Sequence, residues 1–214
     1  MPTHKLTVDE IQRKLSSAQG SFLPSEPGLE DYLNSGVFSE LPRPAAVLIP
    51  FVRVDNEWHI LFTRRNSDLP EHSGQVAFPG GRADHGDASP EQTALREAYE
   101  EIGLPPESVR ILGRMNSFTT ISNYNVTPVV GLAPWPFPIR MAYIEVSRVF
   151  TIPWGWLADP SSHEIKYRAL PSPREPIPVV YFKPYDGEVL WGVSAYIVLN
   201  LLEILAGNSA IKRS

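Results

Sequence analysis

The chain has 214 residues, 24 acids against 19 bases for a formal net charge of -5, 22 prolines and no cysteine. That length suits one large domain with extensions better than two full domains, and the missing cysteines exclude a disulfide framework, a thiolate zinc site, an iron–sulfur cluster and a thiol nucleophile. Nothing requires an oxidising compartment, so the expectation is a cytoplasmic protein, and an acidic balance without a basic run argues against dedicated nucleic-acid binding.

From the N-terminus, Leu6 to Leu15 reads as a short helix with Val8, Ile11 and Leu15 on one side, followed by a polar, Gly- and Pro-containing stretch. The charges among Met1 to Ser16 interrupt the apolar run that a signal peptide needs. Ala45 to Val54 and Glu57 to Arg64 are rich in β-branched and aromatic residues, and Asp55-Asn56 between them suits a hairpin turn. Gln75 to Phe78 reads as another short strand, which Pro79-Gly80-Gly81 ends in a turn and polar loop. A helix follows, with Ser89 as N-cap, Pro90 at the first helical position, Gln92 at the capping-box position and Gly103 as the stop. Its stripe of Ala94, Leu95, Ala98 and Ile102 must pack on something. Strand-like runs come at Val109 to Leu112, Val126 to Leu132, Glu145 to Ile152, Glu164 to Tyr167 and Val179 to Phe182. Ser194 is the expected cap of a last apolar helix, which Asn200 and Glu203 interrupt and which is too short for a bilayer. The prolines of the second half lie among Trp and Tyr residues, which argues for stiff loops between short strands and not for disorder. The expected fold class is α/β, a mixed β-sheet between α-helices.

The chemistry concentrates on Arg96-Glu97-Ala98-Tyr99-Glu100-Glu101-Ile102-Gly103-Leu104. At 3.6 residues per turn Glu97 and Glu101 lie about 40° apart around the helix axis, with Glu100 about 60° to the other side of Glu97. Three carboxylates on one patch repel each other unless a cation joins them, and carboxylate oxygens suit hard divalent ions. Arg96 is placed to hold Glu100, four residues on. An exposed acidic helix face is the plainer alternative; the glycine pair before the helix and the glycine after it favour a site. No P-loop and no G-x-S-x-G elbow is present, and His163-Glu164 lacks the second histidine of a zinc-protease helix because Tyr167 stands there.

These residues resemble the signature of the Nudix hydrolases, a glycine, a loop and R-E-U-x-E-E-x-G-U with U aliphatic, and every fixed position of the helical part is met with Ala98 as the first U. The resemblance implies the Nudix fold over residues 44–207, between an N-terminal extension at 1–43 and a tail at 208–214. It implies Mg²⁺ or Mn²⁺ on Glu97, Glu100 and Glu101, with a backbone carbonyl of Gly80 or Gly81 helping, and hydrolysis of a pyrophosphate bond in a nucleoside diphosphate derivative. Two departures stand out: the signature's earlier glutamate falls on Ala88, with Asp87 adjacent, and Gly81 lies one residue too far from Arg96.

A second block, Leu61-Phe62-Thr63-Arg64-Arg65-Asn66 and Gly74-Gln75-Val76-Ala77-Phe78-Pro79-Gly80-Gly81, is similar to the element that marks coenzyme A pyrophosphatases within the group. Asn66 replaces its serine and Pro70 its second arginine. The resemblance therefore implies coenzyme A or acyl-coenzyme A as substrate, cut to 4'-phosphopantetheine and adenosine 3',5'-bisphosphate. Arg64, Arg65, Arg82, Phe78, Gly80 and Gly81 are the expected substrate contacts. Glu145 has two readings, a fourth ligand or water-orienting base, and a solvated strand-edge glutamate. Pro70 keeps other nucleoside diphosphate derivatives open, such as ADP-ribose, NADH or a dinucleoside polyphosphate, and a Nudix-fold binding module without catalysis is a third reading. The partner expected is a small nucleotide, with no membrane and no dedicated nucleic-acid surface, and a homodimer is compatible with the chain. The six acids and one base from Asp84 to Glu101 account for the whole net charge, the other 18 acids and 18 bases being balanced.

Overall fold

A computed structural model describes residues 6–18, 41–68, 74–168 and 177–207. Its frame is an eight-stranded mixed sheet. β1 (Arg43–Val54) and β2 (Glu57–Arg65) form an antiparallel hairpin. Asp55 and Asn56, at φ 48° and 65°, give it the double left-handed turn that matches strand twist. β3 (Val76–Ala77) pairs with β2, and β4 (Gly80–Arg82) with β1. On the other side of β1 runs β7 (Tyr124–Leu132), parallel to it, flanked by β5 (Arg110–Arg114) and the two-residue β6 (Phe118–Thr119). β8 (Val146–Pro153) pairs antiparallel with β2, and β9 (His163–Arg168) and β10 (Ile177–Phe182) form a separate two-stranded sheet.

Both faces of the large sheet are covered, which is why β1 reads as an almost unbroken apolar run instead of an alternation. On one face α2 (Pro90–Ile102) buries Ala94, Ala98 and Ile102 against Ala46, Leu48, Val52 and Leu61. On the other, α1 (Val8–Ser17) and α4 (Gly192–Ala206) pack with Phe51, Ile60, Phe62 and Phe150. The short α3 (Trp154–Leu157) follows β8 directly. The architecture is the expected α/β one, with the sheet sandwiched between helices.

Local chemistry explains most element ends. Thr7 caps α1 in a full capping box with Glu10. Ser89 caps α2 by accepting from the Gln92 amide, while the Gln92 side chain reaches back one residue further than a capping box requires, accepting from Ala88 N at 2.8 Å. Gly103, at φ 74°, closes α2, and the following chain folds over the end: Arg140 N donates to Ile102 O and Ala142 N to Glu101 O.

Two expectations are corrected. Residues Gly80 to Arg82, expected as a loop, form a strand against β1, an approach so close that a Cβ on Gly80 would lie 2.5 Å from Ala46 O. Ser194 does not cap the last helix: α4 starts at Gly192, with Trp191 as N-cap and no side-chain cap bond. Trp191 is held by stacking on Tyr181 (centroids 5.6 Å apart), so the chain must turn at Gly192, φ 65°.

α1 belongs to the same packing unit as the sheet. Ile11 and Leu15 are fully buried, and Gly113 in β5 leaves the space that Leu15 occupies, a Cβ there lying 3.2 Å from it. The Lys14 ammonium donates to Leu205 O at the end of α4. Leu15→Ala should therefore cost about 2–5 kcal/mol, measured as a lower denaturant midpoint with unchanged m-value; a change near zero would mean that α1 is dispensable to the core.

Candidate metal centre

Because Ala94, Ala98 and Ile102 fix which side of α2 meets the sheet, the three glutamates grade outward from it. Glu101 is 4% exposed, the Glu97 side chain 16% and that of Glu100 56%. Glu101 lies beside the Gly80 N–H, which stabilises its charge, and its Oε2 is buried without a hydrogen-bond partner. Burial raises its pKa to about 8, helped by the negative charges of Glu97 and Glu145 and opposed by Arg65 and the Gly80 amide. Burial also raises Glu97, against the pull of Arg96. Gly81 is needed where it stands: a Cβ on it would lie 2.6 Å from the Glu97 carboxylate.

Arg96 organises the outer half of the group with all five of its N–H donors. Nε and Nη2 donate to the Asp87 carboxylate at 3.1 and 2.9 Å, Nη2 also to Arg82 O at 3.0 Å, and Nη1 to Glu97 Oε1 and Glu100 Oε2 at 2.9 and 3.0 Å. Asp87 further accepts from Thr93 Oγ1 and Asp84 N, both at 2.9 Å. The Arg96 bonds, ahead of the others, hold the Asp87 pKa down to about 2. Asp87 is the neighbour of Ala88, where the sequence pattern has a glutamate, and it carries the carboxylate that holds Arg96.

The remaining expected residues divide. Arg65 is half-buried, its charge acts on Glu101, and its Nε is buried without a partner. Arg64, the next residue, reaches instead to Glu188 at 3.4 Å. Arg82 is exposed on β4 and its carbonyl serves Arg96. Phe78 is buried against Phe62, with centroids 4.8 Å apart, so its ring is part of the core. Glu145 is exposed in a turn before β8, where its charge reaches Glu97 and Glu101. Asn66 fixes that turn, its backbone N donating to Glu145 O and its side-chain amide to Tyr143 O, both at 2.8 Å. Sequence reasoning noted Asn66 only as a replaced serine. The Pro70 position lies outside the described residues.

Among the described residues no three carboxylate or imidazole groups are already gathered around one point, and Arg96 takes one oxygen each of Glu97 and Glu100. The donors fit a hard divalent cation all the same. A buried carboxylate oxygen without a partner, next to a second carboxylate also disfavoured by burial, is a deficit of positive charge that such an ion removes.

The profile of the NUDIX domain matches residues 42–149. The protein named Uncharacterized Nudix hydrolase NudL of Yersinia pestis (strain Pestoides F) is 41% identical over 171 residues, spanning 79% of this chain and 83% of the relative. The chain belongs to the Nudix family. A relative of the same name from Yersinia pseudotuberculosis serotype O:1b (strain IP 31758) matches with the same identity and coverage. Among solved structures, the Nudix hydrolase RenU from M. smegmatis superposes with a TM-score of 0.50 at 20% identity, covering 84% of this chain and 96% of its own. A MutT/nudix family protein from Enterococcus faecalis gives a TM-score of 0.50 at 14% identity over 92% of this chain and 74% of its own. Both show the shared fold. As a Nudix hydrolase the chain is a pyrophosphohydrolase, of a family that generally requires divalent metal ions. No helix among the described residues is long and apolar enough to cross a membrane.

Two outcomes follow for the metal-free protein. Glu101 holds its proton up to about pH 8 when folded but loses it near its ordinary value of 4.5 when unfolded, so its contribution to stability falls as pH rises through that window. The melting temperature should drop between pH 5 and 8, and Glu101→Gln should flatten the drop; equal slopes would remove Glu101 from the account. Asp87→Asn should destabilise by roughly 1–3 kcal/mol at pH 7, since it strips Arg96 of a charged partner. That difference should shrink as pH falls from about 4 towards 2, where the native carboxylate also takes up its proton.

Proposed function

We propose that this Nudix hydrolase cleaves the pyrophosphate bond of coenzyme A or acyl-coenzyme A, releasing 4'-phosphopantetheine and adenosine 3',5'-bisphosphate, with Mg²⁺ or Mn²⁺ held by Glu97, Glu100 and Glu101. The observation that carries the reading is the strip from Leu61 to Gly81, whose sequence is similar to the coenzyme A element. It folds back on itself so that Arg65 at its start and Gly80 at its end both act on Glu101.

A bound divalent ion would supply charge neutralisation at the diphosphate and a more acidic water. The protein's own groups do the rest. Arg96, anchored on Asp87, fixes one oxygen each of Glu97 and Glu100. The Arg65 guanidinium, half-buried with its charge acting on Glu101, supplies a cation for a phosphate oxygen beside the carboxylates. Glu145, exposed and charged against both buried glutamates, is the group placed to take a proton from water at its carboxylate oxygens. The Gly80-Gly81 backbone, free of side chains, lies directly on β1 and leaves room for the Glu97 carboxylate, which keeps that carboxylate beside the strip proposed to contact the substrate.

Pro70 in place of a guanidinium favours a second reading, hydrolysis of another nucleoside diphosphate derivative such as ADP-ribose, NADH or a dinucleoside polyphosphate. A purely binding module is disfavoured because all three signature glutamates and Arg96 are present.

Incubation with Mg²⁺ and each of these compounds, with products resolved by mass, separates the readings. The expected result is cleavage of coenzyme A to the two named products, with kcat/KM highest for it; cleavage only of the others supports the second reading, and cleavage of none supports the binding module. Glu101→Gln should lower kcat by about 10² or more at saturating Mg²⁺, whereas turnover at the wild-type rate would remove Glu101 from the site.

A further inference from the structure

β9 is an edge strand. On one side it pairs with β10, and on the other it meets no strand among the described residues. One bond fixes which of its backbone groups face outward. Lys183 N donates to Ser162 O at 2.7 Å, and these two residues stand opposite each other when the register that sets Phe182 against His163 is continued by one step. Ser162 and Lys183 are therefore a hydrogen-bonded pair, and by alternation so are Glu164 with Tyr181, Lys166 with Val179 and Arg168 with Ile177. Two neighbours agree. Pro178, which has no N–H, falls opposite Tyr167 at a position that does not bond to β9, and the Phe182 N–H turns away from β9 to Leu190 O at 2.8 Å. The N–H and C=O groups of His163, Ile165 and Tyr167 thus point out of the free edge.

Proteins commonly blunt such an edge with lysines, a proline or a bulge. β9 has neither proline nor bulge, and its charges differ in sign: Glu164 and Lys166 bond at 2.8 Å while 61% and 58% exposed. Ile165 and Tyr167, on the other face of the strand, are 54% and 75% exposed. Laid antiparallel on a second copy about a two-fold axis, with the outward groups in register, the strand has few options. Centred on Glu164 or Lys166 it sets like charges face to face, and centred on Tyr167 it sets Lys166 against Arg168. Centred on Ile165 it sets Glu164 of each copy against Lys166 of the other, in non-hydrogen-bonded pairs whose side chains lie close. Ile165 then meets Ile165, and His163 meets Tyr167, each pair exchanging both backbone bonds.

We infer that β9 is a self-association edge, through which two copies of this chain join antiparallel over His163 to Tyr167, centred on Ile165. The axis is two-fold, so both edges are consumed and assembly stops at the dimer. So short a contact falls below the roughly 1,200 Å² of stable complexes, and the dimer forms as concentration rises. It is independent of the substrate and of metal.

The test is sedimentation of the full metal-free chain from about 5 to 500 µM, with melting temperatures to verify folding. The wild type should pass from monomer to dimer mass. Glu164→Lys and Lys166→Glu each set like charges opposite each other and should weaken the dimer at least about tenfold, and the double exchange should restore it. Hydrogen exchange gives a readout that needs no variant. With rising concentration the amides of Ile165 and Tyr167 should slow, while those of Lys166 and Arg168, already bonded to β10, should not change. A monomer throughout, a larger assembly, or a dimer indifferent to both reversals or not restored by the double exchange would overturn the pairing. So would slow Ile165 and Tyr167 amides at every concentration, the sign of another segment of the same chain on this edge.

Discussion

Everything at the site depends on a carboxylate that the fold has taken out of water. Glu101 sits on the sheet side of its helix, one turn beyond Ala98, so packing of the helix forces its carboxylate inward. There a single amide and a nearby guanidinium do not balance its charge, and burial lifts its pKa to about 8. An isolated ionised carboxylate in such surroundings is costly, and the usual escapes are protonation or a cation. Glu97 shares the predicament less severely, and Glu100 on the surface has an arginine and solvent. The gradient from buried to exposed across one helical turn is therefore a gradient in demand for positive charge.

The rest of the domain holds that arrangement still. Arg96 ties the 82–87 loop to the helix through Nε and Nη2 and holds Glu97 and Glu100 through Nη1, and Asp87 takes part from a position that the family pattern does not name. Gly81 leaves room for the Glu97 carboxylate, and Gly80 brings a backbone N–H to Glu101 only because it can lie directly on β1. At the helix end, the 140–146 segment bonds to the carbonyls of Glu101 and Ile102, and through Asn66 it ties Glu145 to the end of β2. The positions of acid, guanidinium and candidate base are thus set by backbone contacts from four different elements.

What the sequence revealed is what short-range physics decides. Caps, stripe and stop of α2 are all local, and its limits, with those of the β1–β2 hairpin, agree with the structure within a residue or two. The helical grouping of Glu97, Glu100 and Glu101 was legible for the same reason, but not their unequal burial, which depends on how α2 lies on the sheet. Gly80 to Arg82 looked like a break because glycine usually is one; its pairing depends on a close approach to a strand more than 30 residues earlier. Ser194 looked like a cap because stacking of Trp191 on Tyr181 is invisible along the chain. Least legible was the sharing of the buried Glu188 carboxylate by Arg64 and Arg148, which lie 124 and 40 residues from it and carry no motif.

The most direct test of the charge-deficit account is a calorimetric titration of the metal-free protein with Mn²⁺ at pH 7, run in two buffers of different ionisation enthalpy. With Glu101 largely protonated below about pH 8, binding must expel its proton. The account predicts release of about one proton per bound ion in the wild type and almost none, with weaker binding, in Glu101→Gln. Tight binding with no proton released, or the same release from the variant, would contradict it.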